Sequence, residues 1–205
     1  MNLRELLIGN PSRLRYVVRF STCHTVHKES VAEHSYYVAL YALLISEWLV
    51  FEVQYDFGVV GLCRETLLRD ALLHDFEEAI TGDVNRVFKY SDPAIKEALD
   101  IGGELALRTI VHKLQIDCDM NAWAWRWRHC KQDGYEGRIL DFCDFLSVLS
   151  YVVQELTNAN ITMQEHWTTM WEYFEKFKAE EFDFLRELVD DAGALLTEAF
   201  AKVGK

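Results

Sequence analysis

The chain is poor in proline, with 2 in 205 residues, and has no segment rich in proline, glycine and serine. Flexible linkers and low-complexity regions usually announce themselves by such segments, so neither is expected. Its 5 cysteines (Cys23, Cys63, Cys118, Cys130 and Cys143) are odd in number and form no Cys-x-x-Cys pair. Free thiols in a reducing cytoplasm, acting as small buried hydrophobes, are the simplest reading. Met1–Asn10 lacks a basic segment followed by a long apolar run, so no signal peptide is expected. The longest apolar stretches, such as Val38–Ile45, fall far short of the roughly 20 residues of a membrane span. Positive charge is also scarce: 21 Lys and Arg face 33 Asp and Glu, for a net charge of -12. An acidic surface repels phosphate backbones and argues against a nucleic-acid polymer as partner. A small phosphate ligand remains compatible, because one local cluster of cations outweighs a distant negative field.

What is present is helical periodicity almost throughout. The length suits one domain with a core of its own. Ser30-Val31-Ala32-Glu33 has the form of a capping box and precedes apolar positions at helical spacing to about Leu49. Arg64 to Ile80 repeats the pattern as one helix, stopped by Gly82. Asp92-Pro93 should start a helix running to about Leu114, weakened by Gly102-Gly103. Tyr135–Leu156 forms another long striped segment. Thr162-Met163-Gln164-Glu165 reads as a second capping box, followed by the stripe Trp167, Trp171, Phe174 and Phe177, and a last helix spans Phe182–Val203. Val50–Phe57 alternates like a strand but lacks a partner, and is read as an extended loop. The expected class is all-α, a single helical bundle over residues 1–205, with residues 159–205 as a C-terminal helical extension packed on it. So many apolar stripes leave surface for self-association, and a homo-oligomer is expected.

Helical proteins build metal sites from side chains projected inward off facing helices. The candidates are His34, the adjacent pair His74-Asp75, and Asp144, which lies in the apolar stretch Ile139–Leu146. Two imidazoles and two carboxylates suit a borderline divalent ion such as Mn, Fe, Co, Ni or Zn. Glu78 follows His74 by four positions and Asp75 by three, on the same helix face, where a carboxylate can carry protons. Each residue also has a plainer reading: His34 as a satisfied polar residue, His74-Asp75 as a surface pair, Glu33 as a cap. Asp144 is harder to explain that way, since a carboxylate in an apolar run costs free energy unless paired or coordinated. Spacing does not show that these residues converge.

The strings Glu33-His34-Ser35 and His74-Asp75-Phe76-Glu77-Glu78-Ala79-Ile80-Thr81-Gly82-Asp83, followed by Asp144 upstream of Glu155-Leu156, resemble the motifs of the HD-domain metal-dependent phosphohydrolases. The bacterial 5'-deoxynucleotidase branch is the most similar. Ser12 to Ser35 aligns with it without a gap, and the resemblance covers roughly residues 10–158.

The resemblance implies an HD-type fold with His34, His74, Asp75 and Asp144 as ligands of a divalent transition metal (Co, Mn, Zn, Ni or Fe). A second ion, Mg, on the substrate phosphates is a further option. Glu78 would assist the attacking water or the leaving group. Arg19 and Lys89 would hold phosphate, and Asp83 would sit near the sugar, favouring deoxyribose; its plainer role is to close the turn after Gly82. The family commonly carries tryptophan after the arginine, where this chain has Phe20, which can stack on a base or pack in the core. It also tends to carry prolines before the lysine, where this chain has Val84–Phe88, so Arg86 could replace or reinforce Lys89. The implied activity is hydrolysis of the 5' phosphate ester of a deoxynucleotide. A monophosphate would give deoxynucleoside and phosphate. A triphosphate, dATP above all, would give deoxynucleoside and triphosphate, as in the related phage dATP triphosphohydrolases. A non-catalytic nucleotide-binding regulator is the alternative, disfavoured by the complete ligand set and Glu78. Trp123-Ala124-Trp125-Arg126-Trp127-Arg128-His129 has no counterpart in the resemblance and has three readings: a base clamp, a subunit contact or a core-facing helix.

Overall fold

The computed structural model describes residues 1–58, 61–132 and 134–203. Its helices are α1 (Leu3–Ile8), α2 (Asn10–Arg13), α3 (Val31–Glu47), α4 (Arg64–Leu73), α5 (Glu78–Thr81), α6 (Arg86–Lys89), α7 (Pro93–Leu114), α8 (Met120–His129), α9 (Gly134–Thr157), α10 (Trp167–Glu175) and α11 (Arg186–Val203). Among the described residues the one extended pairing is an isolated bridge between Val18 and Ser30. The all-α class expected from periodicity therefore holds. No described helix is long and apolar enough to cross a membrane.

Local chemistry explains the best-defined boundaries. The Ser30 hydroxyl accepts from the Glu33 N–H, and the Glu33 carboxylate accepts in return from the Ser30 N–H, completing the capping box of α3. The Asp92 carboxylate accepts from the Ala94 N–H at 2.7 Å, with Pro93 at the first helical position of α7. Gly103 of α7 does more than weaken its helix. A Cβ there would lie 2.6 Å from Trp127 Cη2, so the missing side chain lets α8 lay its indole against α7.

Four expectations need correction. Of the expected loop Val50–Phe57, residues 50–52 instead belong to a π-helical turn (Trp48–Glu52) that continues α3, with the Val53 N–H donating to the Trp48 carbonyl at 3.0 Å, while residues 53–57 are neither helix nor strand. A short apolar run does not distinguish strand from helix, and burial of Leu49 decides the matter here. Arg64–Ile80 is not one helix. α4 stops at Leu73, a tight turn carries His74 to Glu77, and α5 resumes. The reason is chemical: His74 Nδ1 donates to the Ala71 carbonyl at 2.8 Å, the acceptor that a continuing helix would give to the Asp75 N–H. Thr162 caps nothing. Its hydroxyl meets Asn160 Oδ1 at 2.5 Å and the His24 carbonyl at 3.3 Å, and residues 161–166 form a 3₁₀ turn before α10. The last helix likewise begins at Arg186, preceded by a 3₁₀ segment over Glu180–Leu185.

The core lies where α3, α4 and α9 pack together. It is continuous with buried residues of α10, α11 and the segments between them, including Phe142, Phe145, Phe174, Phe177 and Leu196. A smaller cluster joins Leu14, Val31 and Ala79 to Ile110 and Leu114 of α7. Phe177 is fully buried, with ring centroids of Phe142 and Phe182 each 5.1 Å away. Phe177→Ala should cost about 3–5 kcal/mol of unfolding free energy, read from urea denaturation; a loss under about 1 kcal/mol would contradict its place in the main core.

Candidate metal centre and nucleotide pocket

The centre is built from α3, the end of α4 and the middle of α9. His34 sits in the first turns of α3 and is fully buried, with Nδ1 3.0 Å from Ser147 Oγ on α9. His74 is pinned at the end of α4 by its bond to the Ala71 carbonyl. A carbonyl only accepts, so Nδ1 of neutral His74 carries the proton and Nε2 presents a lone pair. That Nε2 lies 3.3 Å from His34 Nε2 and 3.0 Å from Asp75 Oδ2. His34 Nε2 lies 3.0 Å from Asp144 Oδ1 and 3.5 Å from Asp75 Oδ2. Burial, reinforced by the charge of Arg19, pulls the His34 imidazole down to about 4, so it too is neutral near pH 7. Two imidazole nitrogens and two carboxylates thus meet with too few protons to satisfy them all. Such a gathering of electron-rich atoms is stable around a cation, and the donor set fits a borderline divalent ion. His34, His74, Asp75 and Asp144 could hold it. The geometry brings all of them together, which spacing did not show.

Asp144 has a further partner that the sequence did not reveal. Lys131 Nζ is 2.7 Å from its Oδ2, leaving Oδ1 directed to His34. Burial works against the charge of Lys131, but Asp144 and Asp75 outweigh it and hold the ammonium above its ordinary range. The Tyr173 hydroxyl approaches the same carboxylate at 3.4 Å.

A cavity of about 200 Å³ opens beside this centre, lined by Asp75 and Asp144 and by the remaining candidates Arg19, Phe20, Glu78, Asp83, Arg86 and Lys89. Arg19 Nη1 is 2.9 Å from Glu29 Oε2, and the backbones of these two residues are joined as well. Glu29 therefore aims the guanidinium, and its role was not legible in the sequence. Arg86 is held over the ring of Tyr173 at 4.0 Å and that of Tyr90 at 4.7 Å, on the short helix α6 that also carries Lys89. Phe20 takes the core-packing role considered for it, stacked on Tyr151 with centroids 5.0 Å apart, and also borders the cavity. Its φ of +54° lies in the left-handed region, a conformation a bulky residue holds only where its surroundings impose it.

Two acidic groups of this cavity, Glu78 and Asp83, hold their protons more tightly than usual. Burial, with Asp75, Glu77 and Asp83 adding to it, drives the Glu78 carboxyl far up. One of its oxygens, Oε2, is buried without a hydrogen-bond partner among the described residues. Burial also raises Asp83, against the pull of Arg19. Glu77 points the other way, to Trp127: the indole N–H lies 2.8 Å from Glu77 Oε2 and 3.1 Å from the His74 carbonyl. Of the three readings of the tryptophan segment, Trp127 takes the core-facing one and supports the His74–Glu77 turn. No residue of Trp123–His129 lines the cavity holding Arg19 and Glu78, which leaves the base clamp without a place. Ser147 and Glu77 left faint signals, as polar residues in apolar surroundings; Lys131 and Glu29 left none.

The profile of the 5'-deoxynucleotidase YfbR-like family matches residues 8–192. The chain belongs to that family. A 5'-deoxynucleotidase of Pasteurella multocida is 34% identical over 86 residues, 42% of this chain and 42% of that protein, so the match spans less than half the length of the relative. Among solved structures, a protein from Pyrococcus horikoshii superimposes with a TM-score of 0.71 at 20% identity, covering 95% of this chain and 99% of its own. An HD-domain phosphohydrolase from Listeria innocua gives 0.64 at 24% identity, covering 98% and 100%. At these identities the likeness is one of fold. For this YfbR-like chain it places the all-α bundle among known structures, while the residue roles rest on the geometry above.

Trp127→Phe keeps the ring but removes the N–H that serves Glu77 and His74. Leaving buried acceptors unserved should cost about 1–3 kcal/mol in urea denaturation. Trp125→Phe, at an indole that is 58% exposed, should cost under about 0.5 kcal/mol. Equal costs would contradict the supporting role of Trp127.

Proposed function

We propose that this protein is a metal-dependent phosphohydrolase that cleaves the 5' phosphate ester of deoxynucleoside monophosphates to deoxynucleoside and phosphate. The observation that carries the reading is the meeting of His34 Nε2, His74 Nε2, Asp75 and Asp144 at the wall of a cavity that also holds Arg19 and Glu78. A divalent transition ion held by those four residues would polarise the phosphoryl group and lower the pKa of a water molecule.

The chain supplies the rest. Arg19, aimed by Glu29, faces the phosphoryl oxygens as a planar fork, with Lys89 and Arg86 adding charge from α6. Glu78 enters protonated, because burial and its carboxylate neighbours raise it. As water attacks phosphorus and the P–O5' bond breaks, the Glu78 proton passes to O5', and the proton lost by the water returns to Glu78. Asp83 accepts from the 3'-hydroxyl, and its crowding disfavours a 2'-hydroxyl. Phe20 offers a face to the base.

A second reading has its own support. Arg19, Arg86, Lys89 and Lys131 all line the cavity, more positive charge than a monophosphate requires. Hydrolysis of a triphosphate such as dATP at the same ester bond, releasing triphosphate, uses the same residues, and a Mg ion on the phosphates would belong with it. We further treat residues 159–205 as a helical extension of one catalytic unit, acting in the cytoplasm. Assembly as a homo-oligomer is supported by the exposed apolar side chains Leu43, Leu44 and Phe51 on and just beyond α3.

Incubation with dAMP and with dATP, followed by identification of the inorganic product, separates the two substrates; orthophosphate from dAMP is expected. Glu78→Gln should lower kcat by about 10²–10⁴-fold with metal content unchanged. His74→Ala should lose metal and activity together. Full hydrolysis by metal-free His74→Ala protein would sink the reading.

A further inference from the structure

We propose that Cys23, Glu165 and His166 form a second cation site, of zinc type, at the mouth of the nucleotide cavity. Their ligand atoms (a thiol sulfur, a carboxylate oxygen and an imidazole nitrogen) lie within 4.8 Å of one another. They come from segments far apart in the chain, the loop that follows Arg19-Phe20 and the 3₁₀ turn at 161–166. These segments are already fastened together. Asn160 Nδ2 donates to the His24 carbonyl at 2.9 Å, and the Thr162 hydroxyl donates to the same oxygen at 3.3 Å.

An independent observation points to a ligand. His166 Nε2 is buried and has no hydrogen-bond partner among the described residues. Its carboxylate neighbour, Glu165 Oε1, stands 3.7 Å away, too far for a hydrogen bond. That separation falls within the spacing of two ligands around tetrahedral zinc, about 3.3–3.8 Å for bonds of about 2.0–2.3 Å. Cys23 is a free, partly buried thiol whose sulfur lies within 4.8 Å of the other two ligand atoms. Sulfur, nitrogen and oxygen donors together select a zinc-class ion over Mg. The set differs in kind from His34, His74, Asp75 and Asp144, which contains no sulfur.

Cys23 and His166 both line the nucleotide cavity, so the position left by three protein ligands borders the substrate space. His166 also stands edge-on to Phe20, with centroids 6.0 Å apart. Binding would convert the Cys23 thiol to a thiolate, its proton passing to solvent, and would pin the loop carrying Arg19 and Phe20 to the 161–166 turn. An ion that orders this wall must change nucleotide affinity, and the nucleotide must change ion affinity by the same factor.

Cobalt(II) titration of the metal-depleted full chain tests the site, with absorption as the readout. The sulfur-free first set gives no thiolate-to-cobalt charge-transfer band, so that band reports on Cys23 alone once the other thiols are controlled for. It should reach its full height once both sites are filled, by about two equivalents of cobalt, vanish in Cys23→Ser and persist in His74→Ala. The apparent Kd should weaken at least about tenfold in His166→Ala and in Glu165→Gln, a change at a side chain that is 66% exposed and so leaves the fold unchanged. Absence of the band in the unmodified chain, or its survival in Cys23→Ser, would overturn the proposal. Persistence of the band in His74→Ala keeps this result separate from any failure of the His34–Asp144 centre.

Discussion

The arrangement depends on one electrostatic constraint: His34 Nε2 lies 3.0–3.5 Å from His74 Nε2, Asp75 and Asp144, and His74 Nε2 lies 3.0 Å from Asp75, with too few protons between them. Acceptor facing acceptor in a buried site is costly, and a cation removes the cost. Much of the local structure serves to hold this otherwise unfavourable cluster. α4 is broken after Leu73 so that the His74 ring can bond back to the Ala71 carbonyl. Ser147 fixes the His34 ring, Lys131 neutralises one oxygen of Asp144, and Trp127 braces the turn from α8.

The same constraint orders the surrounding cavity. Asp75 is turned towards the imidazoles, so Glu78 and Asp83 sit near a carboxylate they cannot join in ionising freely. Burial and that neighbour raise both. Arg19 is kept among them by Glu29. The chain is acidic overall, at -12, yet four of its 21 Lys and Arg, Arg19, Arg86, Lys89 and Lys131, gather around one small cavity. Bulk composition describes the exterior and hides this local gathering of positive charge.

Much of this could be read from residue order, because the helices are bounded by side-chain chemistry that is local. The capping box at Ser30 and the Asp92-Pro93 start appear as expected, and the metal-ligand candidates converge. What escaped the sequence was set by contacts across the fold. The break after His74 comes from a ring-to-carbonyl bond that competes with the helix. The 3₁₀ turn at Thr162 comes from bonds to Asn160 and the distant His24 carbonyl. Lys131 and Glu29 lie in segments without periodicity, where nothing local shows that they end beside Asp144 and Arg19.

The central claim is that the His34, His74, Asp75 and Asp144 cluster is built for a divalent ion. Equilibrium unfolding of the metal-depleted chain, with and without manganese at about 100 times its Kd, tests this most directly. Bound metal should add about 2.7 kcal/mol to the unfolding free energy, and the gain should vanish in Asp144→Asn. No stabilisation of the unmodified chain, or the same gain in Asp144→Asn, would contradict it.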